Sequence, residues 1–322
     1  MDEDAGKPTT HSQPEPAETR SSVASLPDFS AVPRMADSRT AAEHIAEVES
    51  QAEAVRVPMP NGGLMMWHVW GGASGKPPLV LFHGGSGSWV HWIRNVVPLS
   101  QRYTVYAADL PGLGDSDPPD NVRDVWSVTH CVKAALDAIL PRDRRFDICG
   151  FSFGGMVGGH VSTLLDDRLR SVTLVGPGGF RLRRQPRGAL TKLTRDMPAE
   201  RLAVEARRNL ELLMFADPAG VDGVAIHMQI LNSTRARTKS RSMSVAGVLS
   251  DCLPKIRTRL NAIWGEFDST AYPYFEERET LLRGHQPGID LRYIPGGGHW
   301  VAYERAAEFN SLLPEMLDRL PP

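Results

Sequence analysis

The stretch FDICGFSFGG, residues 146–155, decides the fold of this 322-residue chain. Its first four residues are mostly apolar, which is typical of a buried strand. The next residues match G-x-S-x-G, with Ser152 between Gly150 and Gly154, and residues 153–165 predict a helix. This strand–turn–helix context is the one that the pattern requires. A glycine-rich helix start with an ordinary serine is the simpler alternative. We predict that Ser152 projects from a tight turn in which side chains at the two glycines would be crowded.

Apolar runs alternate with helical patterns on both sides of this turn. The further strands are predicted at residues 64–70, 79–82, 103–108, 172–175, 260–264 and 291–294, with helices at 125–139 and 301–320. A short helix capped by Ser38 is predicted before the first strand. Such alternation indicates an α/β fold with a mostly parallel central sheet and helices on both faces.

The alternation stops between Arg181 and Pro254, where only helical patterns occur. A helical block between two parallel strands predicts a cap near the carboxyl edge of the sheet, where open sheets bind ligands. The Pro-, Ser- and Thr-rich start of the chain predicts a disordered or loosely docked tail. The expected organisation is a tail at 1–35, a first core part at 36–179, a cap at 180–256 and a second core part at 257–322.

Composition excludes several classes of function. The net charge of −2 gives no reason to expect nucleic acid, and no apolar run reaches the length of about 18 residues that a membrane span needs. The chain opens with acidic residues rather than a secretory signal. Three cysteines do not make a disulfide framework, so they are expected as buried thiols and the cytoplasm as the setting. A small-molecule substrate is the expected partner, with a homodimer as an open option.

The sequence HGGSGS, residues 83–88, follows the predicted strand at 79–82. A backbone with so few side chains can turn its N–H groups toward a developing negative charge. We expect Gly85, or as second choice Ser86, to donate one such bond, and Phe153 at the start of the following helix to donate another. A phosphate-binding loop is the alternative, but the lysine and the glycine spacing of such loops are missing. His83 could be a base, although a structural role is preferred.

Two loops at the ends of later strands supply candidate acid and base groups. The sequence WGEFD ends at Asp268, and IPGGGHW contains His299. The order serine, aspartate, histidine along the chain is the one expected when a nucleophile turn of this kind carries a catalytic triad. Glu266 is the rival acid. The other histidines are predicted on helices or outer loops, where a packed or solvated side chain is the default.

With these elements in order, the chain resembles the α/β-hydrolase superfamily over about residues 55 to 320. Within it, the core resembles the meta-cleavage product hydrolases and related esterases. The matching segments are HGGSGSW (83–89), DLPGLGDS (109–116), the turn around Ser152, GPGG (176–179), WGEFD (264–268) and GHW (298–300). The resemblance implies a structural role for Asp115 and Ser116. Two departures weaken a carbon–carbon hydrolase: Phe151 replaces the usual asparagine, and no arginine occurs at 227–229, where a cap arginine would hold a substrate carboxylate.

The predicted cap is basic. Residues 181–257 hold fifteen Lys/Arg and seven Asp/Glu, whereas residues 1–50 hold four and ten. Solvated helix faces are the simpler interpretation, and attraction of an anionic substrate or of the acidic tail is the alternative. The candidate substrate contacts are Trp89, Phe151, Met214 and Trp300.

The sequence as a whole predicts a serine hydrolase that needs no metal or organic cofactor. Ser152 would attack a carbonyl, His299 would take its proton, and Asp268 would orient the imidazole. A carboxylic ester or lactone is the leading substrate. The alternatives are carbon–carbon cleavage of meta-cleavage type, cofactor-free peroxidase or perhydrolase chemistry, and a non-catalytic ligand-binding protein on a hydrolase scaffold.

Overall fold

The computed structural model describes residues 40–165, 167–186 and 188–319. Within these ranges eight strands form one sheet: β1 Glu53–Pro58, β2 Leu64–Trp70, β3 Pro78–Phe82, β4 Thr104–Ala108, β5 Phe146–Phe151, β6 Leu169–Val175, β7 Arg259–Gly265 and β8 Asp290–Ile294. The helices are α1 Ala41–Glu49, α2 Val96–Ser100, α3 Val125–Ile139, α4 Phe153–Ser162, α5 Ala199–Leu213, α6 Gly223–Arg235, α7 Ser240–Val245, α8 Val248–Cys252, α9 Phe275–His285, α10 Val301–Glu304 and α11 Ala306–Asp318. None of these described helices combines the length and apolar character needed to cross a bilayer. The predicted tail, 1–35, lies outside the described residues.

The sheet runs in the order β1-β2-β4-β3-β5-β6-β7-β8. The six strands from β4 to β8 in this order pair in parallel, whereas β2 pairs antiparallel with both β1 and β4. The prediction of a mostly parallel α/β sheet is therefore confirmed. The edge strand β1 was not predicted. Because the chain leaves β3 for β4 on one side and β5 lies on the other, the order reverses at β3, where α/β sheets bind ligands.

Both faces of the sheet are covered, as the apolar strands predict. Alternate residues of β3 point to opposite sides: Leu79 and Leu81 join one buried cluster, and Val80 and Phe82 join another. Helices α2, α10 and α11 contribute to the first cluster, and α3, α4 and α8 to the second. Burial of whole apolar side chains in two layers is the main source of stability for a domain of this size.

We call residues 176–258, between β6 and β7, the insertion. Helices α5 to α8 occupy it, and no strand occurs in the part that the structure describes, which omits residue 187. Helices α5 and α6 pack together, and α6 also packs on α1. The Thr238 hydroxyl, just before α7, donates to the Pro111 carbonyl at 2.7 Å, which joins the insertion to the loop after β4. The predicted domain boundaries and the function of this segment as a cap stay predictions.

Two predicted helix limits are wrong. Helix α1 begins after Thr40 rather than Ser38, because the Thr40 hydroxyl accepts the Glu43 N–H while the Glu43 carboxylate accepts the Thr40 N–H. This reciprocal pair is a capping box. The helix predicted at 301–320 is two helices, because the backbone of Arg305 leaves the helical region at φ −123° and ψ 52° between α10 and α11.

Candidate active site

Ser152 lies at the turn where β5 ends and α4 begins. Its backbone has φ +51° and ψ −108°, a region that residues other than glycine rarely adopt. A Cβ on Gly154 would lie 2.6 Å from the His83 carbonyl oxygen, and one on Gly150 would lie 2.7 Å from the Gly155 Cα. Neither glycine can gain a side chain without a shift of the backbone. The spacing of glycines around Ser152 therefore follows from the closeness of β3, β5 and α4.

His299 stands between Ser152 and Asp268. Its Nε2 is 3.0 Å from the Ser152 Oγ, and its Nδ1 is 2.9 Å from each carboxylate oxygen of Asp268. An Nδ1 that faces a carboxylate carries the proton, which leaves Nε2 free to accept the serine hydroxyl. The three side chains come from the ends of β5, β7 and β8, and the sheet brings them into one hydrogen-bonded line.

Asp268 is completely buried. The N–H and hydroxyl of Thr270 donate to its Oδ1 at 2.8 and 2.7 Å. Burial, the largest influence, raises the pKa of Asp268, but the charge and hydrogen bond of His299 together with the bonds from Thr270 bring the pKa below its usual value. The rival acid Glu266 is exposed and accepts the Gly296 N–H at 2.9 Å. Asp268, and not Glu266, is thus the carboxylate beside His299.

Arg278, on α9, supports the loop that carries Asp268. Only 3% of its surface is exposed. Its guanidinium donates to the carbonyl oxygens of Thr270 at 2.7 Å, Tyr274 at 2.8 Å and Arg183 at 2.9 Å. Burial lowers its pKa and the negative charge of Asp268 opposes this shift. Arg278 therefore fixes Thr270, the residue that donates to Asp268, and places a positive charge near this carboxylate.

Two buried histidines hold Gly84, in the loop after β3. His83 donates from Nδ1 to the Gly84 carbonyl at 2.8 Å and accepts the Leu110 N–H on Nε2 at 2.9 Å, while His91 Nδ1 accepts the Gly84 N–H at 3.1 Å. Burial lowers the pKa of His83 to about 4 and that of His91 well below its usual value. Both rings are neutral near pH 7. With both nitrogens of His83 engaged, the geometry favours its structural role over a role as base.

The candidate oxyanion donors lie next to each other. A Cβ on Gly85 would lie 3.8 Å from the Phe153 Cβ, so the loop after β3 reaches the start of α4. Ser86 adopts φ +49°, and its N–H donates to the Ser240 Oγ at 3.1 Å. Because this N–H is already bonded, the geometry favours Gly85 over Ser86.

The predicted substrate contacts Trp89 and Trp300 are both buried. The Trp89 ring lies 5.1 Å from the ring of His68 and 5.2 Å from that of Trp70, both on β2. The Trp300 ring stacks on Tyr303 at a centroid distance of 4.2 Å. These neighbours give each indole a packing role. Contact with substrate stays a prediction.

The other two predicted contacts, Phe151 and Met214, are also buried. The Phe151 ring lies 5.0 Å from the His299 ring, and a Cβ on Gly84 would come within 2.8 Å of it. Phe151 thus supports the base and the loop after β3 at the same time. The Met214 carbonyl, at the end of α5, accepts the Trp300 N–H at 2.7 Å, which brings the insertion against the residue after His299.

Glu304 strengthens this junction. Its carboxylate accepts the N–H groups of Ala216 at 3.0 Å and Asp217 at 2.9 Å, just beyond α5, and that of Gly298 at 2.6 Å, just before His299. A carboxylate that accepts several backbone N–H groups binds them firmly, because charge-assisted hydrogen bonds are the strong ones. The Glu304 side chain therefore joins the insertion to the loop that carries His299. No group of three or more His, Cys, Asp or Glu suited to a metal occurs in the described ranges.

Comparison with known proteins settles the family. A model of the alpha/beta hydrolase family matches residues 79–312. The chain belongs to this family. The match covers β3 from its second residue, every strand from β4 to β8, and Ser152, Asp268 and His299. The resemblance seen in the sequence is confirmed, and with it the assignment of the chain to a family of hydrolases.

Individual proteins are similar to the chain at a lower level. The dihydrolipoyllysine-residue acetyltransferase component of the acetoin cleaving system from Pseudomonas putida is 26% identical over 84% of this chain and 72% of its own length. The 2-hydroxy-6-oxo-6-phenylhexa-2,4-dienoate hydrolase of Burkholderia cepacia is 27% identical over 74% of this chain and 87% of its own. The solved naproxen esterase from Bacillus subtilis has a TM-score of 0.66 at 17% identity, covering 88% of this chain and 99% of that protein. The similarity to the naproxen esterase structure shows only that the two proteins share a fold.

Sequence reasoning missed five residues that shape the site: His91, Thr270, Arg278, Ser240 and Glu304. Each acts through a partner that is distant in the chain or through a loop whose path the family pattern does not specify. Only His91 had a signal, because it lies in the aromatic run WVHW shortly after the HGGSGS loop. Such a run predicts burial, and a buried histidine beside a glycine-rich loop needs a hydrogen-bond partner.

Proposed function

We propose that this family member is a serine hydrolase that transfers an acyl group to water, with Ser152, His299 and Asp268 as its catalytic triad. The observation that carries the proposal is the continuous line of hydrogen bonds, 3.0 Å from Ser152 to His299 and 2.9 Å from His299 to Asp268. The strained backbone of Ser152 supports it as well, since such strain clusters at functional sites.

In the proposed reaction, Ser152 Oγ bonds to the carbonyl carbon while its proton passes to His299 Nε2. The N–H groups of Gly85 and Phe153 stabilise the oxyanion. The leaving alcohol takes the proton from His299, and the acyl group stays on Ser152. A water molecule then gives a proton to His299 while its oxygen bonds to the acyl carbon. His299 passes this proton to Ser152 Oγ as the bond between the serine and the acyl carbon breaks, which releases the acid and restores the serine. Asp268 keeps the imidazolium oriented, and its lowered pKa keeps it charged.

A carboxylic ester or lactone is the substrate class that we propose first. Phe151 is buried against the His299 ring, in the position where the carbon–carbon hydrolases have asparagine. Helix α6 has no arginine at 227–229, and its Arg235 is ion-paired with Asp115. Carbon–carbon cleavage is the second candidate, because a relative at 27% identity is named as a dienoate hydrolase.

An anionic group on a small-molecule substrate is a further proposal. The insertion contains an arginine run in which Arg181 and Arg183 are exposed and paired with Asp251 and Glu277. Arg184, by contrast, is partly buried, and its guanidinium donates to the Ser244 carbonyl at 3.0 Å. Burial lowers its pKa, and the charge of Asp268 acts against this shift. Arg184 therefore adds positive potential beside the acid. A cofactor-independent reaction in the cytoplasm and a homodimer are retained as proposals.

The test is hydrolysis by Ser152→Ala and by the control Ser162→Ala, a buried serine on α4 whose hydroxyl donates to the Gly159 carbonyl. Both are assayed with p-nitrophenyl esters and with a 2-hydroxy-6-oxo-dienoate. We expect Ser152→Ala to lower kcat on esters by about 10⁴-fold or more, and the control to stay near wild type. Retained turnover in Ser152→Ala would falsify the nucleophile assignment. Faster turnover of the dienoate than of any ester would favour carbon–carbon cleavage. Turnover that depends on peroxide would favour the perhydrolase alternative. Ligand binding without turnover would favour a binding protein.

A further inference from the structure

Ser240, the first residue of α7, packs against the loop after β3. Its Oγ accepts the Ser86 N–H at 3.1 Å, and only 2% of the residue is exposed. A Cβ on Gly85 would come within 2.9 Å of the same oxygen. A hydroxyl from the insertion is thus buried directly against the residue that we propose as an oxyanion donor.

Two successive peptide groups of this loop are held from opposite sides. The Gly84 carbonyl accepts bonds from His83 Nδ1 at 2.8 Å and from the Gly87 N–H at 3.2 Å. In a trans peptide the next N–H, that of Gly85, points the opposite way. The following N–H, that of Ser86, is held by Ser240. The core therefore fixes the first peptide group and the insertion fixes the second.

The conformation of Ser86 needs such support. Its φ of +49° lies in the left-handed region, which is unfavourable for a serine by about 1–2 kcal/mol. A strained residue keeps this conformation when its surroundings hold it there. The bond to Ser240 also occupies the Ser86 N–H, which is the alternative to Gly85 as the oxyanion donor of this loop. The same contact thus holds the turn and leaves the Gly85 N–H as the donor.

Helix α7 is itself anchored beside the nucleophile. The Ser244 carbonyl accepts the Gly179 N–H at 2.8 Å, and a Cβ on Gly178 would lie 2.9 Å from the Ser244 Cβ. The Gly178 N–H in turn donates to the Ser152 carbonyl at 3.0 Å. Helix α7 therefore reaches from the loop after β3, at Ser240, to the loop after β6, at Ser244, and both loops touch the turn that carries Ser152.

We propose that Ser240 is a positioning residue that aligns the oxyanion loop from the insertion, by holding the Ser86 N–H so that the Gly85 N–H faces the reacting carbonyl. The inference rests on the proposed serine-hydrolase function. It goes beyond that function because it makes a hydroxyl of the insertion part of transition-state stabilisation, although this hydroxyl acts through Ser86.

The experiment compares Ser240→Ala with Ser242→Ala, the same change at an exposed serine two residues further along α7. We measure kcat and KM for a p-nitrophenyl ester, and Ki for an aryl trifluoromethyl ketone, which forms an oxyanion on the serine. Loss of an oxyanion donor costs about 10²–10³-fold in kcat, so a misaligned donor should cost about 10-fold. We expect Ser240→Ala to lower kcat about 10-fold at unchanged KM and to raise Ki by a similar factor, and Ser242→Ala to match wild type. Ser240→Thr, which keeps the hydroxyl, should recover most of kcat.

Three results overturn the proposal. The first is a Ser240→Ala enzyme with the kcat and Ki of Ser242→Ala. The second is a raised KM with unchanged kcat, which indicates direct substrate contact. The third is a parallel loss of kcat and folded fraction, measured by thermal unfolding, which indicates a purely structural role. A wild-type protein that neither hydrolyses esters nor binds the ketone is a different failure, since it removes the proposed function and this inference with it.

Discussion

The nucleophile side and the acid–base side of the candidate site are held in place by different means. On the nucleophile side, backbone packing decides the geometry. Gly150 and Gly154 approach neighbouring backbone so closely that no side chain fits, and Ser152 is kept in a strained conformation between them. The residues under these constraints are adjacent in sequence, which is why a five-residue pattern can indicate them.

On the acid–base side, hydrogen bonds from side chains do this work. Asp268 is held by Thr270, Thr270 by Arg278, and the loop before His299 by Glu304. None of these bonds is implied by the sequence around Asp268 or His299. The nucleophile side should therefore be intolerant of added atoms, whereas the acid–base side should be intolerant of the loss of hydrogen bonds.

The largest effect on activity is expected from Gly154→Ala. Its new Cβ would overlap the backbone of Phe82 and His83, so β3, β5 and α4 cannot keep their spacing. We expect ester hydrolysis to be lost and the free energy of unfolding, measured with urea, to fall by about 3 kcal/mol. The control is Gly158→Ala on the same helix, where a Cβ would meet only side-chain atoms, at 3.3 Å or more. Equal activity in the two variants would contradict the steric account.

A smaller effect is expected from Arg278→Met. The change leaves the Thr270 carbonyl without its donor and removes a positive charge near Asp268. We expect kcat to fall about 10-fold, as small misplacements of catalytic groups do, and stability to fall by about 2–3 kcal/mol. Because the lost positive charge favoured the Asp268 carboxylate and opposed a positive charge on the imidazole beside it, the acid limb of the kcat/KM profile should move to higher pH.

Two variants control the Arg278 prediction. Arg283→Met, at a more exposed position of α9, should leave kcat and the acid limb unchanged. Arg278→Lys keeps the charge but not the geometry, so it should restore the acid limb more than the stability. An Arg278→Met enzyme with a wild-type pH profile would show that the acid side does not depend on this arginine.

The smallest effect on activity near neutral pH is expected from His83→Gln, which tests one of the side chains that hold the loop after β3 on the nucleophile side. The pKa of His83 is lowered from its ordinary value of 6.5 to about 4. The unfolded chain therefore binds a proton on this residue at a pH where the folded chain does not. The stabilisation of the folded protein by neutral His83 is therefore complete above about pH 6.5. It is lost as the pH falls toward 4, which lowers the free energy of unfolding by up to about 3 kcal/mol.

Glutamine can still donate to the Gly84 carbonyl and accept from Leu110, but it does not titrate. The free energy of unfolding of His83→Gln, measured with urea between pH 7 and pH 4, should therefore fall less than that of the wild type. His130→Gln, at an exposed position of α3, should keep the wild-type slope. Identical slopes for His83→Gln and wild type would mean that His83 is protonated in the folded protein.

Much of the core was predictable from sequence because its signals are local. Strands buried on both faces are short apolar runs, and β3 to β7 were found in this way. Strand β8 was also predicted, although most of its side chains are only half-buried. Edge strand β1 was missed because its sequence EAVRVP mixes charged and apolar residues and most of its side chains are exposed. An edge strand depends on pairing with its neighbour, here β2, more than on its own burial.

The rest of the site could not be predicted because it depends on which distant segments meet. Arg278 reaches Thr270 from the next helix and Arg183 from 95 positions away, and Ser240 reaches Ser86 across 154 positions. From sequence alone, a charged or hydroxyl-bearing residue on a short helix is expected to be exposed to solvent. Only the three-dimensional path of the chain puts these side chains beside the loops of the candidate site.

The central claim, that Ser152 is a nucleophile activated by His299, is tested most directly by covalent labelling. The protein is treated with a fluorophosphonate, and the modified residue is identified by mass spectrometry of the peptides. The account predicts one label per chain, on Ser152, with no label in Ser152→Ala and a rate reduced by about 10³-fold or more in His299→Gln. Labelling of another residue during continued ester turnover, or an unchanged rate in His299→Gln, would contradict it.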